Sequence, residues 1–570
     1  MFLGIAAARG MRLRQFDVSN AYLNGQIPQG THIYMEQPYG YELKGKQATK
    51  VCQLIKGLYG MKQGGALWND DLVTTLLTHG WKRLNGDPCL FAKHDKDGKT
   101  QALLFVYVDD IGVAYLSPKI LNETRQMLQS KYKITEVEEE PRWILGMNLQ
   151  NDVASGTLTL SQWSYVDRLL EQYQMTDCKP KRTPFPSKTK LQRHEGVPVK
   201  QPEYRALIGT FLFLAGCTRP DIASAVSQLS RHVGNPSEEH WGCAKHLLRY
   251  LNGTRTLGLV YRKNETIDVD VYCDASYAES FDCKSITGVV TRLNGTAINW
   301  CSKHQSLVAD SSSGAELIAT AEAIRRIRWE KQILESLGVE FKDPIKVYED
   351  NQAILHTLKS QPSVSSRTKH YNVRYFVARE AMQNGEIELI YCPTEDMIAD
   401  GLTKAPSSIM LDRLCNGTNL FPVNRDRSGI KKVYAKVVFT LQQPQQRDFS
   451  KRQENLPKHD EKQVRKEESR GTKERKLIRQ ATNRMHSPQE LNKRIKEQKI
   501  LALCFHSIIP SACTDSLREG VLKDAVMRSS LALRVKKRSK SHNKGRKETA
   551  GDARAKIESG GISNVTPSQI

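Results

Sequence analysis

Short apolar segments that carry acidic residues mark the first part of the chain. Residues 101–114 are mostly apolar and β-forming, and the run is interrupted by Asp109 and Asp110. This pattern predicts a β-hairpin with two carboxylates at its turn. Residues 12–18 alternate polar and apolar side chains, which predicts another strand, with Asp17 near its end. If both strand ends lie at one edge of a sheet, three carboxylates converge there.

Carboxylates that are crowded together repel one another unless divalent cations neutralise them. Two such cations about 3.5–4 Å apart can bind both the attacking and the leaving oxygen of a phosphoryl transfer. Magnesium prefers oxygen ligands and keeps waters and substrate phosphates in its shell. Because aspartate is also common in turns for local backbone reasons, the acidic pair alone leaves an ordinary turn as an alternative.

A second alternation of strands and helices follows in residues 263–405. The predicted elements are strands over 268–274, 285–292 and 297–301, a helix over 313–337, a strand over 345–350, a helix over 368–383, a strand over 386–391 and a helix near 398–404. The Asn-Gly pair at 294–295 favours a tight hairpin turn. Three strands, helix, strand, helix, strand, helix is the order of a ribonuclease H-like domain.

Four acids of this region fall at predicted strand ends and helix starts: Asp274, Glu316, Asp350 and Asp400. Together they could hold two Mg²⁺ ions and cut a phosphodiester with water. Each acid has a local alternative. Glu316 follows Ser313 by three residues and fits a capping box. Asp274 and Asp350 fit turns, and Asp400 fits a helix N-terminus. Their joint occurrence, in order, favours the catalytic interpretation.

Five motifs, taken in order, resemble the reverse transcriptase of copia-type retrotransposons. They are Phe16-Asp17-Val18, AYLNG at 21–25, IYMEQP at 33–38, LYGMKQ at 58–63 and YVDD at 107–110. The resemblance implies that Asp17, Asp109 and Asp110 are the metal-binding catalytic carboxylates of a polymerase palm. It also implies that Gln63 and Tyr107 bind substrate.

The resemblance continues through residue 405. It implies a thumb and connection over residues 151–262, and a ribonuclease H over residues 263–405 with Asp274, Glu316, Asp350 and Asp400 as its catalytic metal ligands. One departure concerns residues 64–66, which read Gly-Gly-Ala where the family reads Ala-Pro-Arg. That change removes an arginine from the nucleotide site.

The start of the chain resembles the last turns of the helix that precedes the first catalytic strand in the family. The basic fingers strands that hold the incoming triphosphate in the family are not found upstream of residue 12. Phosphate clamping and positioning carry most of the catalysis of phosphoryl transfer. We therefore expect an N-terminally truncated palm with impaired polymerase activity.

The basic charge of the chain is concentrated at its C-terminal end. The chain has 570 residues and a net charge of +23, and residues 421–570 hold 35 Lys and Arg against 16 Asp and Glu, a difference of 19. This excess suits a polyanionic partner but also fits non-specific adhesion. The scattered cysteines fit reduced intracellular thiols. The longest apolar stretch, residues 206–217, is too short to span a bilayer.

The sequence thus predicts an α+β polymerase palm over residues 1–150 with the fingers missing, an α/β ribonuclease H-like domain, and a basic, largely disordered tail over residues 406–570. The expected substrates are an RNA template, a DNA primer, deoxynucleoside triphosphates and an RNA–DNA hybrid, with two Mg²⁺ per active site. We expect an intracellular protein, cytoplasmic or nuclear, with no membrane partner. The alternative is a catalytically dead remnant that binds nucleic acid through its tail.

Overall fold

The structure is a computed structural model that describes residues 1–425 except 39, 44, 46–48, 138–139, 188, 279–281 and 361–371. Three larger β-sheets, each flanked by helices, make up this part of the chain, and a two-stranded sheet accompanies them. None of the helices in these residues combines the length and apolarity that crossing a membrane requires. The basic segment that we expect to be disordered lies outside the described residues from 426 onward.

The strands alternate with helices along most of the chain. The strands are β1 (Arg12–Val18), β2 (Tyr34–Met35), β3 (Cys52–Gln53), β4 (Lys82–Arg83), β5 (Leu90–His94), β6 (Thr100–Tyr107), β7 (Asp110–Tyr115), β8 (Ile134–Glu136), β9 (Trp143–Ile144), β10 (Met147–Asp152), β11 (Thr157–Ser161), β12 (Leu257–Arg262), β13 (Val269–Ser276), β14 (Ile286–Leu293), β15 (Thr296–His304), β16 (Ile345–Glu349), β17 (Ile387–Tyr391) and β18 (Leu420–Pro422).

The helices pack on the faces of these sheets or against one another. They are α1 (Phe2–Ala8), α2 (Gly64–Thr78), α3 (Pro118–Lys131), α4 (Trp163–Gln172), α5 (Gln201–Cys217), α6 (Ala223–Ser230), α7 (Glu238–Gly253), α8 (Ser312–Ser336), α9 (Gln352–Lys359), α10 (Asn372–Gln383), α11 (Asp400–Thr403) and α12 (Ser408–Gly417), with short 3₁₀ turns at Ala21–Leu23 and Pro220–Ile222.

The first sheet has six strands in the order β4-β5-β6-β7-β1-β8, and all its neighbours are antiparallel. Strands β6 and β7 form the hairpin that the sequence predicts. Helices α2 and α3 supply apolar side chains to the same core as the sheet, among them Trp68, Leu72 and Leu128, which are 2% exposed or less. The central place of β1 and β7 brings the acidic ends of both strands to one edge.

A second sheet has the strand order β15-β14-β13-β16-β17. Strands β13, β14 and β15 are antiparallel neighbours, whereas β13, β16 and β17 run parallel. The long helix α8 packs on β13 and β14, and α11 lies against the same two strands. This mixed sheet and its element order match the ribonuclease H-like order that the sequence predicts, except that α9 is an additional helix between β16 and α10.

The third sheet does not respect the predicted domain borders. Its order is β18-β12-β11-β10-β9, so it combines strands from both sides of residue 150 with a strand after residue 405. The expectation that the low-order tail starts at 406 is therefore wrong for residues 408–422, which form α12 and β18. Strand β18 pairs with β12 and covers its otherwise open edge, which explains why this short segment is ordered.

A buried ion pair stabilises the helical region formed by α4–α7. The Arg219 guanidinium donates to both carboxylate oxygens of Asp221 (2.9 and 2.7 Å), and Tyr250 donates its hydroxyl to the same carboxylate at 2.7 Å. Arg219 also donates to the backbone oxygen and the hydroxyl of Thr254. Both charged side chains are 1% exposed or less. Because water cannot reach them, each charge is compensated by the other.

We predict that Arg219→Met lowers the free energy of unfolding by about 3–5 kcal/mol, because it leaves the Asp221 carboxylate buried without its partner. Urea titration of the full chain, followed by circular dichroism, measures the loss. Arg231→Met is the matched control, because it removes a partly exposed pair with Asp282 and should cost at most about 1 kcal/mol. Equal losses in the two variants would contradict this account.

Candidate active sites

The first candidate site lies where β1 meets the β6–β7 hairpin. Asp17 and Asp110 are directly paired across the antiparallel ladder of β1 and β7. Asp109 occupies the turn, is 2% exposed, and its backbone oxygen accepts a hydrogen bond from the Val18 N–H at 2.8 Å. The structure therefore brings Asp17, Asp109 and Asp110 to one edge of the sheet, as the sequence predicts.

The acidic turn is held in a strained conformation. Val108 has a φ of 56°, a left-handed value that a β-branched residue rarely adopts. Its backbone oxygen accepts a hydrogen bond from the indole N–H of Trp68 on α2, and Trp68 is only 2% exposed. Packing of α2 against the hairpin thus holds the conformation that places the two carboxylates.

The predicted substrate-binding residues occupy different positions around this site. Tyr107 is half-buried at the end of β6 and is paired with Asp110. Gln63 is exposed at the residue that precedes α2, where its backbone oxygen accepts from the Leu67 N–H. Their roles in substrate binding stay predictions. Sequence reasoning missed the contact between the tilted rings of Tyr22 and Tyr59, whose centroids are 4.7 Å apart.

The second candidate site lies at the end of β13 and β16. Asp274 lies in β13, Asp350 directly follows the parallel neighbour β16, and Glu316 lies in the second turn of α8. One carboxylate oxygen from each of these three residues lies within 4.8 Å of the other two. Their convergence follows from the parallel pairing, because the carboxyl ends of β13 and β16 meet at one edge.

The structure contradicts the capping-box alternative for Glu316. Helix α8 is capped by Ser311, whose hydroxyl accepts from the Gly314 N–H at 3.1 Å. Glu316 is 6% exposed, and its Oε2 atom has no hydrogen-bond partner within the described part of the chain. A buried carboxylate oxygen without a partner is costly, which indicates that a ligand is needed there.

The electrostatics of this site oppose full ionisation in the absence of a cation. Burial and then the charge of Asp400 raise the pKa of Asp274. Burial, followed by the charges of Glu349 and Asp274, raises the pKa of Glu316. These shifts are the expected result of several carboxyl groups sharing a low-dielectric space. A divalent cation would reverse them by neutralising the repulsion.

The fourth predicted acid, Asp400, lies beside the other three but has its own partners. It is the first residue of α11, and its Oδ1 atom is 2.8 Å from the Lys404 ammonium. Its Oδ2 atom is 3.8 Å from an Arg413 guanidinium nitrogen. The adjacent Thr403 donates its hydroxyl to Asp274 Oδ2 at 2.5 Å, which connects α11 to the group of three acids.

A fifth carboxyl group was missed by the sequence reasoning. Glu349 is fully buried, and its Oε2 atom lies 3.2 Å from both the Cys273 thiol and the Thr320 hydroxyl. Burial raises its pKa, and the nearby Asp274 raises it further. Alternation along β16 could have identified it, because Ile345, Val347 and Glu349 share the inward face of this strand.

A glycine permits the close approach of α11 to the sheet. Gly288 on β14 is the direct partner of Asp274 in the ladder. A Cβ atom at this position would lie 2.8 Å from the backbone oxygen of Ala399 and 2.8 Å from Thr403 Cγ2. Only glycine fits such contacts without displacing the backbone that carries Asp400 and Thr403.

Both sites present oxygen ligands only, and this donor set suits Mg²⁺ better than softer transition metals. In the second site, Asp274, Glu316 and Asp350 fit a hard divalent cation, and the unpartnered oxygen of Glu316 points to the same conclusion. The residues present therefore fit the implied metal.

The described residues thus combine an antiparallel sheet that carries paired acids with a mixed sheet that carries a cluster of carboxylates. Residues 1–187 match the family model described as reverse transcriptase (RNA-dependent DNA polymerase). The chain is also similar over 70–76% of its length to Pol polyproteins of copia-type transposons. It belongs to this copia-type retrotransposon Pol family.

The similarities to individual relatives differ in coverage. The chain is 33% identical to the Pol polyprotein from transposon RE2 of Arabidopsis thaliana over 433 residues, which is 76% of this chain and 29% of that relative. It is 34% identical to the Pol polyprotein from transposon TNT 1-94 of Nicotiana tabacum, over 70% of this chain and 30% of the relative. It therefore spans about three tenths of these polyproteins.

A shorter relative is covered completely. The chain is 33% identical over 314 residues to the putative transposon Ty5-1 protein YCL074W of Saccharomyces cerevisiae, which is 55% of this chain and 100% of that protein. Among solved structures, LC11-RNase H1 matches 24% of this chain and 92% of its own length at 17% identity, with a TM-score of 0.20. That score is too low to support the assignment, which depends on strand order and carboxylate positions.

We predict that Gly288→Ala disturbs the second site and lowers the free energy of unfolding by about 1–3 kcal/mol, because the added methyl group overlaps the backbone of α11. Urea titration measures the loss. Gly242→Ala is the control, since a Cβ atom there meets nothing within 4 Å in a helix interior, and this change should be neutral or slightly stabilising. Unchanged stability in Gly288→Ala would contradict the close approach.

Proposed function

We propose that this chain hydrolyses the RNA strand of an RNA–DNA hybrid in a Mg²⁺-dependent reaction at the second site. The observation that carries this proposal is the convergence of Asp274, Glu316 and Asp350 around a buried oxygen that has no partner in the described residues. The hybrid would be held through its backbone, and such contacts carry no sequence preference.

In this proposal each residue has a distinct role. Asp274, Glu316 and Asp350 hold one Mg²⁺, and Asp400 with Asp274 contributes to a second. Bound magnesium would supply Lewis-acid stabilisation of the phosphate and a more acidic water. The Thr403 hydroxyl orients Asp274, and Cys273 and Thr320 hold Glu349 beneath the site, so that the ligands keep one arrangement.

A second activity, RNA-directed DNA synthesis, is favoured by the pairing of Asp17 with Asp110 beside the strained turn of Asp109. Its substrates would be an RNA template, a DNA primer and deoxynucleoside triphosphates, with two Mg²⁺ held by these acids. We propose that it is the weaker activity. Within the described residues, the only group of three or more potential ligand residues whose ligand atoms all lie within 4.8 Å of one another is that of the second site.

The competing proposal is a remnant without catalysis that binds nucleic acid through its basic C-terminal segment. Positions 421–570 contain 35 basic and 16 acidic residues, and this difference of 19 supports electrostatic binding of this kind. The preserved arrangement of the second site supports hydrolysis instead, because a group of buried acids is costly to keep without a cation.

We expect the purified full chain to cleave the RNA strand of a hybrid when Mg²⁺ is present. Asp274→Asn should lower the rate at least about 100-fold, because the neutral amide cannot replace a carboxylate ligand. The control is Asp268→Asn, an exposed aspartate just before β13. Gel analysis of labelled RNA measures the rate. If a folded wild-type chain leaves the hybrid intact, the remnant proposal replaces this one.

We further expect primer extension on an RNA template to be slower than hybrid cleavage by the same preparation. Any extension should be abolished by Asp110→Asn and kept by Asp70→Asn, which changes an exposed aspartate on α2. Extension that survives Asp110→Asn would contradict the assignment of the palm carboxylates.

A further inference from the structure

One carboxylate of the second site is engaged by a cation that belongs to the protein itself. The Lys404 ammonium lies 2.8 Å from Asp400 Oδ1, while Asp274, Glu316 and Asp350 form the close group without Asp400. Lys404 follows the short helix α11 directly, four residues after Asp400. An ammonium and a divalent ion cannot both occupy the same side of one carboxylate oxygen.

The two cations around Asp400 differ in how firmly they are held. The Arg413 nitrogen nearest to Asp400 donates to the backbone oxygen of Thr394 at 2.6 Å and is 3.8 Å from the carboxylate. Lys404 makes a direct contact with Asp400, and its side chain is 41% exposed whereas that of Asp400 is 7% exposed. Lys404 can therefore swing into solvent at low cost, and Arg413 cannot.

We propose that Lys404 is a positioning residue that competes with the second divalent cation for Asp400. This inference rests on the proposed metal-dependent function of the site. The first cation would enter the group formed by Asp274, Glu316 and Asp350, none of which forms an ion pair with a lysine within the described residues, although the charge of Lys404 also acts on Asp274. The second would bind only as the Lys404 ammonium leaves Asp400, so the two cations bind with different affinities. The released ammonium would then be free to contact a phosphate of the substrate.

Mn²⁺ binding tests this proposal without relying on catalysis. The full chain is titrated with Mn²⁺ alone, and free Mn²⁺ is counted by electron paramagnetic resonance. All proteins carry Asp110→Asn, which removes a ligand from the palm. Lys404→Met removes the ammonium at similar length, and Lys404→Arg keeps a charge. Lys131→Met is the matched control, because Lys131 is 43% exposed and lies 2.8 Å from Asp71 Oδ1.

We expect two Mn²⁺ sites of unequal affinity in the protein with Lys404 intact. Lys404→Met should tighten the weaker site by about 1.5- to 5-fold, the range that loss of one partly exposed ion pair allows. The stronger site should change less, because Lys404 forms its ion pair with Asp400, and Lys131→Met and Lys404→Arg should leave both sites as they were. Asp400→Asn should remove the weaker site.

Two results would count against the proposal in different ways. A weaker site that is unchanged or loosened by Lys404→Met would show that Lys404 does not compete for Asp400, and the proposed hydrolysis would be unaffected. Absence of Mn²⁺ binding from every folded protein would overturn the metal-dependent function and, with it, the role given to Lys404.

Discussion

The parallel pairing of β13 with β16 is the constraint on which the second site depends. It places Asp274 and Asp350 at the same edge of the sheet, and α8 crosses that edge with Glu316. Burying Asp274 and Glu316 beside the half-buried Asp350 is unfavourable, and the surrounding apolar core must stabilise the sheet against the repulsion of the three carboxylates. The neighbouring hydroxyl and thiol groups then restrict how the acids can relax, so the acids stay close together despite the repulsion between their carboxylates.

Strand pairing also brings acidic residues together in the first sheet, but with a different geometry. An antiparallel hairpin gives Asp109 and Asp110 from one turn, and the adjacent antiparallel strand gives Asp17. The site therefore depends on the turn itself, and the left-handed Val108 stores strain that the Trp68 hydrogen bond holds in place. In the second site, which is built on parallel strands, the acids come from separate elements. The unfavourable energy there is the repulsion between carboxylates and not a strained backbone.

The acids could be predicted because each ends or follows a regular pattern of alternation, and Asp17, Asp110 and Asp274 lie where those patterns place them. Other parts of the site could not be predicted in this way. The sequence predicts a helix near 398–404, but it does not predict the contact of Lys404 with Asp400, which depends on where this short helix ends. Strand β18 is too short for a pattern, and it is ordered only because β12 offers an edge. The close approach of the α11 region to Gly288 likewise depends on tertiary packing.

The domains predicted from the sequence do not coincide with the sheets of the structure. Strand β12 lies between β11 and β18 in one sheet, so a fragment limited to residues 263–405 would lack all three strands. A fragment that began at β12 would leave open the edge of β12 that pairs with β11, and open edges promote association with other chains. On the palm side, Arg9 donates to the backbone oxygens of Leu337 and Gly338 at the end of α8 (2.9 and 2.6 Å). Because Arg9 satisfies carbonyls that the helix itself cannot, removing the first sheet and α1 would leave the Leu337 and Gly338 oxygens without this donor. The second site is therefore best understood, and best measured, in the full chain.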